Sequence, residues 1–578
     1  MLISVFLQGD PCEHASHVHN YSVSRNPLHL ERVEFLFGIY PMKKWGLRVD
    51  DQMTPVSSKV EEREQCPAIV MPFQAPPRLR LAIATWLERV IFVALCLVAL
   101  FAMRDPIVAR WAFEAAFLLW IIRLLVAGRT FEPQPFVAPS LVFLLCAGIS
   151  ASLSYAPLLS WQRIGWFVLI VLPLVVAQNV RTMRQVKVLI SLVLLAAAIS
   201  ALRTGWQYVF GVGTELVQVP ENTALYRDGL RSRDFIQLMN GHKTRTPEQW
   251  RRALESTASE RNLSLHVARG APINYLDLKI NRADLQQWLE MTGSHVRRAR
   301  PIRAQGHLYH YMPYAGVLLQ TGLLAFGLLV ANKAGKWTSR IGMTALFALL
   351  VAALGATVTR IYLATLVLGC FLQFWLLHKK WRLLAIGAVT VSLICATVFI
   401  EKERGLGWLA MADAGTEYRV MMWKDAVRLI PRHLAFGVGP DSVLQEGARW
   451  NVRAYKEFGV SSHFHSTYIE LAVDCGLLAL AAWLWLMGSY LLWLARAWKK
   501  AKNWEWFPRG VLLGVSTGVI GFLLAGLVQY TLGDGEVMML VWMFMGLLIA
   551  TLRIQGAQLA IQPSLAEELG KHRPTAIP

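Results

Sequence analysis

The chain contains about twelve apolar runs, each close to the ~20 residues that a helix needs to cross the ~30 Å hydrocarbon core of a bilayer. Hydropathy places these runs at 84–103, 108–127, 136–153, 162–180, 186–208, 307–331, 341–358, 361–378, 383–400, 466–495, 510–532 and 536–553. Backbone amides in lipid must be satisfied within a helix or a closed barrel, which leaves such a chain few alternatives. The sequence therefore predicts an all-α polytopic membrane protein with about twelve transmembrane helices.

Composition supports this fold class. Only 17% of the 578 residues are charged, whereas a soluble chain carries nearer ~25%. The 22 tryptophans suit a membrane protein, because tryptophan is enriched at headgroup depth. Lys and Arg outnumber Asp and Glu by 58 to 38, but no basic stripe interleaved with aromatic residues appears. We therefore expect no nucleic-acid partner.

The distribution of Lys and Arg predicts the orientation. With a cytoplasmic N-terminus, most short-loop Lys and Arg residues fall on the inside, as the positive-inside rule requires. The short outside connections hold little more than Arg104, Arg163 and Arg360. We therefore expect both termini to be cytoplasmic.

The spans divide the chain into predicted segments. These are a poorly ordered cytoplasmic tail or over-extended start (1–80), helices 1–5 (81–208), an outer insert (211–281), a connector (282–306), helices 6–9 (307–400), an outer loop (401–465), helices 10–12 (466–553) and a cytoplasmic tail (554–578). The two outer segments 209–306 and 401–465 are longer than ordinary connections between helices. The functional site is therefore expected there.

The insert has the pattern of a small α+β domain. Strands are predicted at Thr214–Val219, Asp234–Met239, Leu263–Val267 and Asn274–Ile280, and helices at Ala224–Leu230 and from Thr246. The residue order V-P-E-N-T-A-L-Y-R-D-G-L-R-S-R-D-F-I-Q-L-M-N-G resembles a bacterial PDZ domain over about 70 residues and departs from it at Arg233, where that family usually has glycine. PDZ domains bind an extended peptide at a sheet edge. The alternative is a spacer that binds nothing.

Polar residues also gather at the predicted outer ends of the later helices. They are Arg303 before the sixth span, Arg360 at an interface, His465-Ser466 opening the tenth span, and Asp534 between the last two. Nine residues separate Ser466 from Gly476.

Together with E-Y-R-V-M-M-W-K-D-A (Arg419 and Trp423) and F-G-V-G-P-D-S, these pieces resemble the O-antigen ligase/polymerase family over about residues 85–553, the insert excluded. A histidine followed by serine, nine further residues and a glycine, here His465, Ser466 and Gly476, is the ligase-type pattern, written below as His-Ser-nine-Gly. Two departures leave the subfamily open: Ala479 stands where Gly, Thr or Tyr is usual, and G-H-L-Y-H-Y-M-P-Y replaces the polymerase-like G-T-F-x-N-P-N segment.

The resemblance implies a GT-C-like protein of the bacterial inner membrane, with 401–465 as its periplasmic catalytic loop. It implies inverting glycosyl transfer, without a metal or other cofactor, from an undecaprenyl-pyrophosphate-linked glycan to an acceptor hydroxyl such as that of lipid A-core. The enzymatic alternatives are a glycan polymerase and a protein O-oligosaccharyltransferase whose acceptor the insert recruits. A non-enzymatic exporter or PDZ-bearing scaffold is the alternative from another class.

The residue types suit that chemistry. His465 is the candidate general base, because a histidine with an ordinary pKa of ~6.5 accepts a hydroxyl proton at neutral pH. Arg303, Arg360 and Arg419 are candidate pyrophosphate ligands, since guanidinium grips phosphate with paired donors. Asp534 is a candidate orienting group or base, and Ser466 and Trp423 are candidate substrate contacts.

Each residue also has a simpler explanation. His465 would be an interfacial residue at a helix start, Arg360 a snorkelling topology marker, and Arg419 and Asp534 solvated surface charges. His307 and His310 have i, i+3 spacing, but no carboxylate or thiol motif accompanies them. We therefore expect no metal site.

Overall fold

The computed structural model describes residues 77–571 except for 128–133, 135, 212, 245, 270–273, 293–295, 300–302, 333–336, 379–385, 388–389, 393, 396–397, 399–413, 459–462 and 502–503. The predicted N-terminal tail up to residue 76, most of the ninth predicted span and the start of the outer loop lie outside the described residues.

The described helices of the first half are α1 Pro77–Phe101, α2 Pro106–Ala127, α3 Val137–Ser152, α4 Pro157–Phe167, α5 Leu172–Asn179, α6 Met183–Phe210, α7 Ala224–Arg227, α8 Pro247–Ser256, α9 Arg282–Thr292 and α10 Tyr311–Ala331. Those of the second half are α11 Trp337–Ala356, α12 Arg360–Leu377, α13 Ala414–Leu429, α14 Ser442–Glu446, α15 Arg453–Phe458, α16 Thr467–Asp474, α17 Gly476–Lys500, α18 Trp506–Ala525 and α19 Gly535–Lys571.

Nine helical segments among the described residues are long and apolar enough to cross a membrane. They are Arg78–Phe101, Pro157–Asn179, Met183–Phe210, Tyr311–Ala331, Trp337–Ala356, Arg360–Leu377, Gly476–Lys500, Trp506–Ala525 and Gly535–Ala557. Helix α2 is apolar but carries Arg110, Glu114 and Arg123, and α3 has only 16 residues. The polytopic architecture agrees with the sequence, whereas the count of twelve spans stays a prediction.

Close helix packing holds the core together. Helices α10 and α18 meet through glycines, where a Cβ on Gly327 would lie 2.7 Å from the carbonyl oxygen of Gly510, and one on Gly514 2.6 Å from the Cα of Leu324. Small residues allow such close approach between membrane helices. Trp483 and Trp542 pack edge to face, with ring centroids 5.8 Å apart, and Trp483 also contacts Phe522 of α18 at 6.3 Å.

The predicted tenth span is interrupted at Cys475. Helix α16 ends at Asp474, and the apolar helix α17 starts at Gly476. The segment 433–442 crosses this junction. There the Leu477 amide donates to the Leu434 carbonyl at 2.8 Å, and the Gly439 amide to the Asp474 carbonyl at 2.8 Å. The junction therefore fixes the outer loop against the helix that follows His465.

The insert is built on one antiparallel sheet. Its strands are β1 Gly213–Leu216, β2 Phe235–Met239, β3 His242–Lys243, β4 Asn262–Arg269, β5 Asn274–Asn281 and β6 Val296–Ala299. Their order is β5-β4-β2-β1-β6, with β3 paired to β2. Buried Leu216, Ile236, Trp250, Leu265 and Trp288 form its core.

Strands β1, β2, β4 and β5 occupy the predicted positions with shifted ends. The sheet continues past residue 281, since β6 pairs with β1 from Val296 opposite Leu216 to Ala299 opposite Gly213. Trp288 of α9 is buried in the same core and donates its indole N–H to the Gln218 carbonyl at 3.1 Å. The folded insert thus includes most of the segment predicted to be a connector.

Candidate functional site

His465 lies at the turn that leads into α16. Its φ of 51° places it in the left-handed region, where a residue other than glycine is strained. The residues on either side are fixed. The Phe464 amide donates to Glu470 Oε2 at 2.5 Å, and the Thr467 amide donates to the Gly526 carbonyl at 2.8 Å. The fold therefore maintains this backbone geometry at a cost of ~1–3 kcal/mol, which is common at functional sites.

Aromatic rings surround the imidazole of His465. The His463 ring lies 4.3 Å away between centroids, in an edge-to-face arrangement, and the Tyr418 ring lies 5.6 Å away. His463 in turn contacts Tyr530 at 5.4 Å. Helix α13, the turn before α16 and the loop before α19 thus meet around two histidines.

A second group approaches from the start of α10. The guanidinium of Arg303 stacks on the Tyr311 ring at 4.3 Å, and the neighbouring His310 caps α10 by accepting the Met312 amide at 3.2 Å. His310 lies within electrostatic range of both Arg303 and His465. Arg419 on α13 also lies within range of His465. The structure thus brings His465, Arg303 and Arg419 into one region.

The histidines are neutral at physiological pH. Burial, followed by the charges of His463, Arg419 and His310, lowers the pKa of His465 from 6.5 to about 2. Burial and nearby Arg163 and Arg419 lower the pKa of His463 to about 4, and burial with Arg303 lowers that of His310 to about 4. Among the described residues, the buried Nδ1 atoms of His463 and His465 have no hydrogen-bond partner. Two neutral imidazoles with available nitrogens therefore face a positively charged region.

Two predicted substrate contacts have structural roles in this geometry. The Trp423 indole Nε1 donates to the Phe464 carbonyl at 2.8 Å. Ser466 is buried as the N-cap of α16, and its hydroxyl accepts the Ile469 amide at 3.5 Å. Both side chains hold the turn that carries His465.

Arg360 and Asp534 are placed differently. Arg360 is half-buried at the start of α12, directly after Thr359. Asp534 precedes α19, and its electrostatic neighbours are Glu536 and Arg163. Burial and the Glu536 carboxylate raise the pKa of Asp534, while Arg163 opposes the shift. Asp534 thus interacts electrostatically with Arg163, and its role in orienting His465 stays a prediction.

Gly476, the end of the His-Ser-nine-Gly pattern, has a steric reason to be glycine. Its φ is 79°, and a Cβ there would overlap the carbonyl oxygen of Ala435 in the crossing segment. The pattern therefore combines the turn carrying His465 with the junction that anchors the outer loop.

Sequence reasoning missed several residues of this region. His463 belongs to the same H-F-H triplet as His465, and Tyr418 precedes Arg419. Arg163 was noted only as an outer-side arginine, yet it forms a 2.7 Å ion pair with Asp441. Arg360 drew attention because the positive-inside rule disfavours arginine on the outer side. The same argument applied to Arg163.

The described residues contain no group of three or more His, Cys, Asp or Glu side chains arranged to hold a metal ion. The histidine spacing of H-L-Y-H is explained otherwise, because His310 acts as a helix cap.

Comparison with protein families identifies part of the chain. Residues 345–484 match the family model described as O-Antigen ligase. The chain carries an O-antigen ligase domain. This domain contains Arg360, Arg419, Trp423, His465 and Ser466 of the predicted site.

The resemblance noted in the sequence is thus confirmed for the O-antigen ligase domain, which supports a lipid-linked glycan ligase or polymerase in a multi-pass membrane protein. Arg303 and Asp534 lie outside the matched residues. No curated protein matches the chain. The PDZ-like character of the insert stays a prediction.

Proposed function

We propose that the protein is an O-antigen ligase-like glycosyltransferase. In this proposal it transfers a glycan from undecaprenyl pyrophosphate to an acceptor hydroxyl, that of lipid A-core or a similar molecule, at the periplasmic face of the bacterial inner membrane. The observation that supports this best is the grouping of neutral His465 with Arg419 and Arg303. His465 and Arg419 lie within the residues that match the O-antigen ligase model.

His465 acts as general base in the proposed reaction. Its imidazole is neutral, and its Nδ1 has no hydrogen-bond partner among the described residues. A pKa of about 2 makes it a weak base before the donor binds. A bound pyrophosphate brings negative charge, which raises the proton affinity of a neighbouring imidazole. Donor binding thus prepares His465 to take the acceptor proton as the hydroxyl oxygen attacks the anomeric carbon.

The arginines bind the leaving group. The anomeric carbon–oxygen bond breaks as the new glycosidic bond forms, so the lipid pyrophosphate leaves with additional negative charge. Fixed guanidinium groups stabilise such charge without reorganisation. Arg303 and Arg419 border the histidine region, and Arg360 at the start of α12 is proposed as the third phosphate ligand. Asp534 acts as a supporting group through Arg163.

Replacement of His465 with Ala tests the assignment. We expect transfer to fall at least ~100-fold, with membrane insertion and donor binding retained. His242→Ala, on the exposed strand β3 of the insert, is the matched control and should transfer glycan at the wild-type rate. Wild-type turnover by His465→Ala would contradict the proposed mechanism.

The acceptor distinguishes the alternatives. Purified protein is incubated with undecaprenyl-pyrophosphate glycan and, in separate reactions, with lipid A-core, further glycan donor or a serine-containing peptide. Sugar on lipid A-core identifies a ligase, longer lipid-linked glycan a polymerase, and glycopeptide an oligosaccharyltransferase. Transfer to none of these acceptors would favour the non-enzymatic exporter or scaffold.

A recruiting role for the insert is the second proposal. Strand β5 pairs only with β4 among the described strands, so its other edge is suited to strand addition by an extended peptide. Deletion of residues 213–299, the whole described sheet, should change which acceptor is used while transfer to a small hydroxyl acceptor continues. Unchanged acceptor choice would identify the insert as a spacer.

A further inference from the structure

The ion pair between Arg163 and Asp441 joins three distant parts of the chain. Arg163 Nε on α4 donates to Asp441 Oδ2 at 2.7 Å, and its Nη1 donates to the Gly533 carbonyl at 3.0 Å. The two side chains are only 18% and 10% exposed. One guanidinium thus connects an early membrane helix, the outer loop and the loop before α19.

Asp441 is itself fixed in a strained position. Its φ is 57°, and its amide donates to Asp474 Oδ2 at 3.0 Å at the end of α16. The preceding Pro440 carbonyl accepts the Ser160 hydroxyl of α4 at 2.6 Å. The backbone that carries the acceptor for Arg163 is therefore fixed on both sides.

From this ion pair a short series of ring contacts reaches the candidate base. The Arg163 guanidinium lies 5.7 Å from the Tyr530 ring centroid. Tyr530 contacts His463 at 5.4 Å, and His463 contacts His465 at 4.3 Å. Tyr530 lies in the same loop as Gly533, which Arg163 bonds, and His465 precedes the helix α16 whose Asp474 accepts the Asp441 amide.

We propose that the Arg163–Asp441 pair is a positioning device for His465, acting through Tyr530 and His463. The inference rests on the proposed function, because it assigns the pair a role in the rate of that reaction. Neither residue is proposed to touch substrate.

A purely stabilising role explains the arrangement less well. A buried ion pair gains little net stability over an apolar pair of similar shape, because both charges lose their hydration. What it supplies is directional geometry: two bonds from the Arg163 guanidinium, to Asp441 and to Gly533, and a third from the Asp441 amide to Asp474. Rates of general-base catalysis depend steeply on such geometry, since a displacement of about 1 Å costs up to ~100-fold.

The test separates turnover from binding in two variants of Asp441. Asp441→Asn keeps the shape and removes the charge, whereas Asp441→Glu keeps the charge and displaces it by one methylene. We expect kcat of Asp441→Asn to fall ~10- to 100-fold, with KM for the lipid-linked donor within about threefold of wild type. The kcat of Asp441→Glu should fall by less, and its KM for the donor should also stay within about threefold of wild type. Glu215→Gln, which breaks the comparable 2.8 Å pair with Arg297 in the insert, is the control and should keep wild-type kcat.

Wild-type kcat in folded Asp441→Asn, or a loss confined to donor KM, would overturn the inference. If Asp441→Asn does not fold, the same criteria apply to Asp441→Glu, with folding checked by its melting temperature in detergent. His465→Ala measured in parallel separates the two hypotheses. Full turnover in His465→Ala contradicts the proposed mechanism, whereas loss in His465→Ala with wild-type kcat in the Asp441 variants contradicts only the positioning role.

Discussion

The indole N–H of Trp423 donates a 2.8 Å hydrogen bond to the carbonyl oxygen of Phe464, the residue before His465. Trp423 lies on α13 and Phe464 in the turn before α16, so this bond ties the outer helix to the backbone of the candidate base. A tryptophan that the sequence offered as a substrate contact thus serves as a support for His465.

Trp423→Phe tests this support, because phenylalanine keeps most of the apolar contact but lacks the donor. The Phe464 carbonyl loses its partner, which costs ~1 kcal/mol of folding free energy. We expect turnover to fall about three- to tenfold with donor KM unchanged, measured as initial rates of glycan transfer. Trp485→Phe, at a side chain 52% exposed, is the control. A rise in donor KM with unchanged turnover would contradict the supporting role and indicate that Trp423 contacts the substrate.

Gly476→Ala should damage the junction between α16 and α17. The alanine must adopt a φ of 79° and displace the Ala435 carbonyl. We expect a loss of ~2–4 kcal/mol in folding free energy, seen as a lower melting temperature in detergent. Gly488→Ala on the same helix meets nothing within 4 Å and serves as the matched control. Equal melting temperatures for the two variants would refute the steric explanation of the pattern.

Stability should decrease in mild acid because of the buried histidines. The pKa of His463 is about 4 in the folded chain against an ordinary 6.5, so between these values the unfolded state binds a proton that the folded state excludes. The stability is therefore fully present above about pH 6.5 and is lost as pH falls toward 4. Arg163, Arg419, His310, His465 and Tyr530 face this histidine.

His463→Gln should reduce the dependence of melting temperature on pH between about 4.5 and 6.5, because the variant lacks one of the three buried imidazoles that take up a proton on unfolding. His242→Gln, on the exposed strand β3 of the insert, should leave the wild-type slope unchanged. An identical slope in His463→Gln and wild type would show that other groups control the acid response.

Much of the fold could be predicted because a membrane-spanning helix is recognisable from the apolar composition of its own residues. The run 510–532 became α18, and 307–331 became α10, with ends shifted by a few residues. The break at Cys475 could not be predicted from hydropathy, since Glu470 and Asp474 are the only charged residues in the otherwise largely apolar run 466–495. Both carboxyl groups are buried. Asp474 accepts the Asp441 amide of the crossing segment and Glu470 accepts the Phe464 amide, and the contact between Asp474 and Asp441 has no local signal in the sequence.

The candidate site was predictable to a similar extent. His465 and Gly476 stand in a recognisable spacing, and Arg303 and Arg419 proved to lie near that histidine. The ion pair of Arg163 with Asp441 spans 278 positions. No local pattern encodes such a pairing, which exists only because α4, the outer loop and the last loop fold together.

Arg233 offers a test of the insert by a gain in stability. Its φ is 68°, a conformation that costs ~1–2 kcal/mol for most residues but little for glycine. Arg233→Gly keeps the bond from its amide to the Leu216 carbonyl, 2.8 Å long, and removes the strain. We expect slower amide hydrogen exchange in β1 and β2, measured by mass spectrometry on the full chain. Arg251→Gly, in the interior of α8, should instead accelerate exchange, since glycine weakens a helix by ~1 kcal/mol. Faster exchange in Arg233→Gly would mean that the arginine side chain contributes more to the insert than its backbone strain costs.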